Sequence, residues 1–349
     1  MRLGIIARSD NTGLGNQTRE LVNMLNPDKI LLIDSTPFNK NKQHPDWYEG
    51  HNVITTNFGF PKRGEIKQFL NNLDIVFSCE TFYSSMLVDM ARDLKIKTVL
   101  QYNYEFLINL QNREESLPDV FVAPTLWQIE TMIKIFGDTV QFVHLPPPTN
   151  INLFKTSRDE NFSRFHGRLL HVAGKQAARD RNGTNTVFDM LKHSKEDYEL
   201  VVTSQTEFEN EILDPRVSLL RQNIKNREDL YFGFDAMILP RRYAGLCLPM
   251  NEALISAMPV FMTDLSPNNK ILPQNWLVPA TQIGQFKAKS IIDVYSANPR
   301  DLAELVDNYM RMTRKKQLKM KQQAFEIGNE MFSVEILKDK YLNLFNSLT

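Results

Sequence analysis

The chain has 349 residues, 42% hydrophobic and 23% charged, with 41 basic side chains against 41 acidic ones. That length corresponds to about two domains, and the charge balance removes any general electrostatic drive toward nucleic acid or anionic membrane. No apolar run reaches the roughly 18 residues of a membrane-spanning helix, and the N-terminal MRLGIIARSDNTG is too short an apolar run for a secretory signal.

The first strand spans residues 2–7, followed by the loop Ser9–Asn16, a helix carrying Leu21, Met24 and Leu25 at helical spacing, and a strand over 29–34. Strand, glycine-containing turn, helix and strand make a βαβ unit. The alternation continues with strands at 74–78, 98–101, 120–123 and 140–145 and helices at 84–94 and 126–135. Near-continuous apolar strands between helices predict a parallel sheet covered on both faces. Three prolines, Pro146 to Pro148, end this half, and the polar stretch that follows reads as a linker.

The second half restarts in the same way, with strands at 169–173, 200–203, 236–240 and 260–263, a loop over 174–183, and helices at 184–191 and 249–257. From Pro299 onward the pattern is helical, ending in an amphipathic helix over 334–345. The expected division is an N-terminal Rossmann-like domain (1–150), a linker (151–165), a second Rossmann-like domain (166–330) and a C-terminal segment (331–349). Ligands of open α/β sheets bind beyond the carboxyl ends of the strands, so two such domains facing across a cleft would make a two-substrate site.

Four stretches carry chemistry. In Gly245–Asp264, Pro249 suits the first turn of a helix, which places Glu252 in that turn, where the helix dipole favours an anion. A carboxylate there can accept two hydroxyl hydrogen bonds, as from a ribose diol, and helix-start N–H groups can take phosphate oxygens. After the 169–173 strand, Gly174, Lys175, Arg179 and Arg181 put cations on a glycine-containing strand-to-helix loop, which suits a diphosphate. Gly13 and Gly15 let backbone approach a ligand closely; their spacing is not that of a dinucleotide-cofactor site. Glu80, Asn103, Tyr104 and Glu105 follow first-half strands and mix aromatic and polar groups as a sugar acceptor site does; each taken alone is more readily a packing or capping residue. His144 and His171 lie on or beside apolar strands and read as core histidines, and Arg241 and Arg242 read as base-pocket neighbours or surface charges.

The two cysteines, Cys79 and Cys247, are far apart and offer neither a disulfide framework nor metal-ligand spacing, which fits a cytoplasmic protein. No Asp-x-Asp triplet occurs, so no obligatory metal is expected.

The 244–264 stretch resembles the donor-site signature of the retaining GT-B glycosyltransferases of family 4, approximately E-G-F-G-L-P-x-x-E-A-x-x-x-G-x-P-V. Gly245, Leu248, Pro249, Glu252, Ala253, Pro259 and Val260 match it, whereas the first glutamate falls on Ala244 and the second glycine on Cys247. The resemblance implies two Rossmann-like domains with the C-terminal helix crossing back onto the first. It implies a nucleoside-diphosphate-sugar donor (UDP or GDP not resolved) bound on the second domain through Glu252, Gly245 and Leu248. Lys175 and Arg181, or Arg179, would stabilise the leaving diphosphate, and Gly13 and Gly15 would face its phosphates. The acceptor is left open, with nucleic acid entering only as modified phage DNA. Two other readings stay beside transfer: a catalytically impaired nucleotide-sugar-binding protein, motivated by Ala244, and a nucleotide-sugar epimerase of the same architecture.

Overall fold

The computed structural model describes residues 1–37, 41–107, 117–174, 180–206, 214–220 and 226–349. The chain divides into two compact units, residues 1–148 with 334–349, and residues 149–333.

The first unit is built on seven parallel strands: β1 (Leu3–Arg8), β2 (Lys29–Ile33), β3 (Val53–Thr55), β4 (Ile75–Cys79), β5 (Lys97–Gln101), β6 (Val120–Ala123) and β7 (Gln141–His144). Their order is β3-β2-β1-β4-β5-β6-β7, so the chain reverses direction across the sheet between β1 and β4. Helices α1 (Gly13–Leu25), α2 (Arg63–Leu70), α3 (Ser85–Asp93), α4 (Tyr104–Leu107) and α5 (Ile129–Phe136) alternate with the strands. Side chains alternate faces along a strand, and both faces are covered here: Ile5, Phe77, Val99 and Val122 enter one core, Ile6, Val76, Leu100 and Phe121 the other. Burial on both sides is why these strands read as unbroken apolar runs.

The second unit repeats the plan with six parallel strands, β8 (Arg168–Gly174), β9 (Glu199–Ser204), β10 (Val217–Leu220), β11 (Ala236–Leu239), β12 (Val260–Thr263) and β13 (Leu277–Val278). They are ordered β10-β9-β8-β11-β12-β13, with the switch between β8 and β11. An antiparallel hairpin, β14 (Ala280–Lys287) and β15 (Ile291–Ala297), stands outside that sheet. Its helices are α6 (Lys155–Ser163), α7 (Thr184–Leu191), α8 (Leu248–Ile255), α9 (Pro299–Met310) and α10 (Arg314–Phe332), and the chain ends in α11 (Val334–Leu348).

The last helix, α11, belongs to the first unit, as the fold expectation requires. Leu337, Tyr341, Leu344 and Phe345 bury into the β1/β4 face, and Tyr341 and Phe345 meet Phe77 at ring-centroid distances of 5.8 and 5.7 Å. The Gln101 amide donates to the Tyr341 hydroxyl (2.9 Å), and that hydroxyl donates to the Pro146 carbonyl (3.1 Å), so the helix is also pinned by buried polar contacts.

Most of the stretch 151–165, read from its polarity as a linker, is α6 and the turn before it. Two of its polar residues, Ser157 and Asn161, are buried and spent on interior hydrogen bonds. Asn161, fully buried, donates to the carbonyls of Tyr231 (2.9 Å) and Ser256 (2.8 Å) and accepts from the N–H groups of Gly233 and Phe234 (2.9 Å each). Beside it, Lys321 of α10 donates to the Asn161 carbonyl (2.6 Å) and to the Asp235 carboxylate (2.8 Å), with both charges fully buried. Removing one member of such a pair leaves the other charged and unsolvated. Lys321→Met should therefore lower unfolding free energy by about 3–5 kcal/mol in urea denaturation; a loss below about 1 kcal/mol would mean that Asp235 finds other compensation.

Candidate functional site

In each sheet the switch between strands that lead in opposite directions opens a crevice at the carboxyl edge. In the second unit that edge is formed by the loops after β8 and β11, which carry Gly174, Arg181 and Gly245.

The loop after β8 is closed by Asn182, whose amide donates to the Val172 carbonyl (2.9 Å). Gly183 has φ +71°, and a Cβ there would lie 2.2 Å from the Pro240 carbonyl oxygen. Only glycine lets the two loops approach this closely. Asp180 then caps α7, accepting from the N–H groups of Thr184 (2.8 Å) and Asn185 (2.9 Å). That carboxylate occupies the part of the helix start where an anion would otherwise sit, so cationic side chains are left to hold any phosphate on this loop. His171 is a core residue: its Nδ1 lies 2.8 Å from the Ile238 carbonyl and its Nε2 2.9 Å from the Thr184 hydroxyl, and burial holds its pKa down.

Arg181 turns toward the β11 loop. Its Nη2 donates to the Ala244 carbonyl (2.7 Å), and its guanidinium carbon sits 4.9 Å from the Tyr243 ring centroid. Lys175 and Arg179 lie outside the described residues. Gly174 ends β8 with φ +66°, and Gly245 continues the β11 loop with φ +118°. Arg241 is buried, not a surface charge; its Nη1 donates to the carbonyls of Gly245 and Leu246 (3.2 Å each) and shapes the turn that enters α8.

Glu252 departs from its expected local setting. Helix α8 begins at Leu248, before Pro249, because the Cys247 carbonyl accepts from the N–H groups of Met250 (3.1 Å) and Asn251 (3.3 Å). Glu252 therefore lies beyond the first turn, and side chains rather than helix-start N–H groups meet it. The Tyr231 hydroxyl donates to its Oε2 (2.6 Å), and Arg227 Nη1 lies 3.3 Å from its Oε1. Both partners belong to the segment just before β11. The carboxylate retains only 7% exposure, and burial raises its pKa despite the Arg227 charge. A carboxylate has about four lone-pair sites, so these two partners orient it without exhausting it. Close packing fixes the helix itself, since a Cβ on Gly328 of α10 would come within 2.8 Å of the Ile255 nitrogen.

In the first unit, both Gly13 and Gly15 fall in the first turn of α1 rather than in a loop. Gly13 is exposed, whereas Gly15 is buried with its Cα turned on Asp10: a Cβ there would meet the Asp10 carbonyl oxygen at 1.9 Å. Close packing against Asp10 thus requires glycine at position 15. The acceptor-side candidates do come together. Asn103 donates to Glu80 Oε1 (3.4 Å), the Glu105 N–H donates to Asn103 Oδ1 (3.2 Å), and Tyr104 packs edge-on to Trp127 at 5.1 Å. Sequence reasoning passed over their neighbours at the switch: Arg8, the last residue of β1, pairs with the buried Asp10, which also accepts from Ser35 (2.5 Å). Tyr83, at φ +60°, is partly buried beside the Arg8 charge. The available signal was position alone, a charged residue closing an apolar strand.

Among the described residues, no group of three His, Cys, Asp or Glu side chains is placed to hold a metal ion, and no helix is long and apolar enough to cross a membrane.

No family model matches the sequence, and no curated protein matches it. Solved structures do. HepE from Anabaena, solved with UDP and glucose, superposes with a TM-score of 0.69 at 11% identity, covering 99% of this chain and 100% of that one. A glycosyltransferase from Rickettsia africae ESF-5 gives 0.70 at 12% identity over 99% and 98% of the two chains. The lipopolysaccharide outer core galactosyltransferase WaaB gives 0.66 at 12% identity over 100% of each. The fold is GT-B. At these identities the likeness speaks for architecture, and it agrees with the resemblance carried by the 244–264 stretch.

Within this GT-B chain the raised pKa of Glu252 has a measurable sign. A carboxyl whose native pKa lies above its ordinary 4.5 keeps its proton in the folded state after the unfolded chain has lost it, so its contribution to stability falls as pH rises from about 4.5 through the native value. Glu252→Gln lacks that titration. Calorimetric melts should show the Tm of Glu252→Gln rising relative to wild type across this range; a relative fall would mean that Arg227 outweighs burial and depresses the pKa.

Proposed function

We propose that the chain is a glycosyltransferase that moves a sugar from a nucleoside-diphosphate sugar to an acceptor, with retention of configuration. The observation that carries this reading is Glu252: a buried carboxylate oriented by Tyr231 and Arg227, and matched to the residue that takes the donor ribose in the family signature. A buried carboxyl with a raised pKa is costly to keep, and such groups concentrate at functional sites. HepE, of the same fold, was solved with UDP-glucose, which favours a uridine donor over a guanosine one.

In this reading Glu252 accepts the ribose hydroxyls, and the Gly245–Leu248 turn lines the nucleotide. Arg181, joined by Lys175 or Arg179, neutralises charge on the departing diphosphate, and this stabilisation with positioning supplies most of the rate. Glu80, Asn103, Tyr104 and Glu105 form the acceptor side, and Gly13 and Gly15 face the donor phosphates. Transfer needs no obligatory metal, and the free cysteines Cys79 and Cys247 fit a reducing, cytoplasmic setting. The second reading, binding without transfer, is favoured by one observation: Ala244 stands where the signature has a sugar-contacting glutamate, and its carbonyl is engaged by Arg181.

Incubation with a panel of UDP-, GDP- and ADP-sugars, following release of the nucleoside diphosphate, separates the two. Transfer predicts release from one donor class, with kcat lowered about 10²-fold or more in Arg181→Ala, the usual loss for a donor aimed at developing charge. Binding without release supports the second reading, and absence of both binding and release contradicts the two together.

A further inference from the structure

The β14–β15 hairpin is an addition to the sheet plan, inserted between β13 and α9 and antiparallel where its surroundings are parallel. Most of β14 is exposed, so the hairpin adds little to the core, and two-stranded ribbons are marginal on their own. Its contacts are directed at the loop after β11. The Tyr295 N–H donates to the Arg242 carbonyl (2.7 Å), and the Phe286 ring stands edge-on to Tyr243, centroids 5.1 Å apart and planes at 74°. Tyr243 is nearly buried, and it also carries the Arg181 guanidinium over its ring at 4.9 Å. On the other side the Arg242 N–H donates to the Arg181 carbonyl (2.9 Å), and Arg181 Nη2 donates to the Ala244 carbonyl (2.7 Å). The 241–245 loop is thus held by the hairpin from one direction and by Arg181 from the other.

We propose that the hairpin is a positioning element for Arg181, acting through Phe286 and Tyr243, so that the guanidinium is fixed to meet the diphosphate of the donor. The proposal rests on the reading of Arg181 as a diphosphate ligand. An unrestrained arginine side chain gives up rotamer freedom when it is ordered, and a guanidinium ordered before the ligand arrives has already met that cost. Here the Tyr243 face sets the plane of the fork and the Ala244 bond sets its rotation within that plane. Phe286 supports Tyr243: with its edge contact removed, the ring has room to turn, and the plane of the guanidinium is lost with it. Phe286 and Tyr243 touch no substrate in this scheme, and their effect reaches the diphosphate only through Arg181.

The test measures UDP and uridine affinity by calorimetry on the full chain, with GDP and guanosine run alongside. Phe286→Ala should weaken UDP binding about tenfold, the loss of roughly one charge-assisted hydrogen bond, and leave uridine binding unchanged. Phe286→Tyr, which keeps the edge contact, should restore UDP affinity. In an Arg181→Gln background, Phe286→Ala should have no further effect. Tyr243→Leu, which leaves the hairpin intact, is the second variant should Phe286→Ala unfold, and it should give the same selective loss. UDP affinity unchanged in both variants, or uridine affinity falling by the same factor, overturns the proposal. Wild-type protein that binds neither nucleoside diphosphate overturns the donor reading and the proposal with it, whereas binding that is insensitive to Phe286 and Tyr243 overturns the hairpin's role alone.

Discussion

Asn161 uses a fully buried side chain to make four hydrogen bonds to backbone, two given and two received, and the geometry around Glu252 follows from that arrangement. Its amide bridges the carbonyl of Tyr231 and the carbonyl of Ser256, which closes α8. It therefore sets the spacing between the residue that donates to Glu252 and the helix that carries Glu252. Lys321 and Asp235 lock the same node from α10 and β11. Buried polar networks of this kind are costly when incomplete and rigid when satisfied. Here every bond ends on backbone or on an opposite charge, which is the condition for holding a carboxylate in one place.

Glu252 shows the opposing demand. Burial raises the pKa of its carboxyl, and Arg227 pulls the other way across 3.3 Å. Tyr231, itself pushed well above its ordinary pKa by burial, stays protonated and so remains a donor to the carboxylate. A surface glutamate would be better solvated and less oriented. The buried one is desolvated in advance, which strengthens any hydrogen bond it accepts from a hydroxyl. The same economy holds at Arg181, whose direction is set by Ala244 and Tyr243 before any ligand is present.

The architecture was legible because parallel strands buried on both faces write themselves as apolar runs, KILLI, IVFSC, VFVA and AMIL among them. What escaped is what composition cannot encode. The helix around Asn161 is mostly polar and, apart from Ser157 and Asn161, at least partly exposed, so it read as a linker. Helix α8 begins before Pro249 because a backbone carbonyl at Cys247 closes its first turn, which no side-chain signal announces. The β14–β15 turn passes through Ala288, Lys289 and Ser290 without glycine or proline, so the usual punctuation of a hairpin is missing. Arg227 and Tyr231 meet Glu252 from more than twenty residues away, and such pairings follow from the β11 switch rather than from local spacing. Glu252 itself was found from the 244–264 stretch, while its partners needed the fold.

In the proposed function, Glu252 recognises the ribose diol of a nucleoside diphosphate. This recognition is tested most directly by comparing UDP with its 2′,3′-dideoxy counterpart on wild type and on Glu252→Ala. The account predicts that removing the hydroxyls costs the wild type about 1–3 kcal/mol of binding, as for hydrogen bonds to a charged group, and costs Glu252→Ala nothing further. An equal penalty in both proteins would contradict it, because the diol would then be recognised elsewhere.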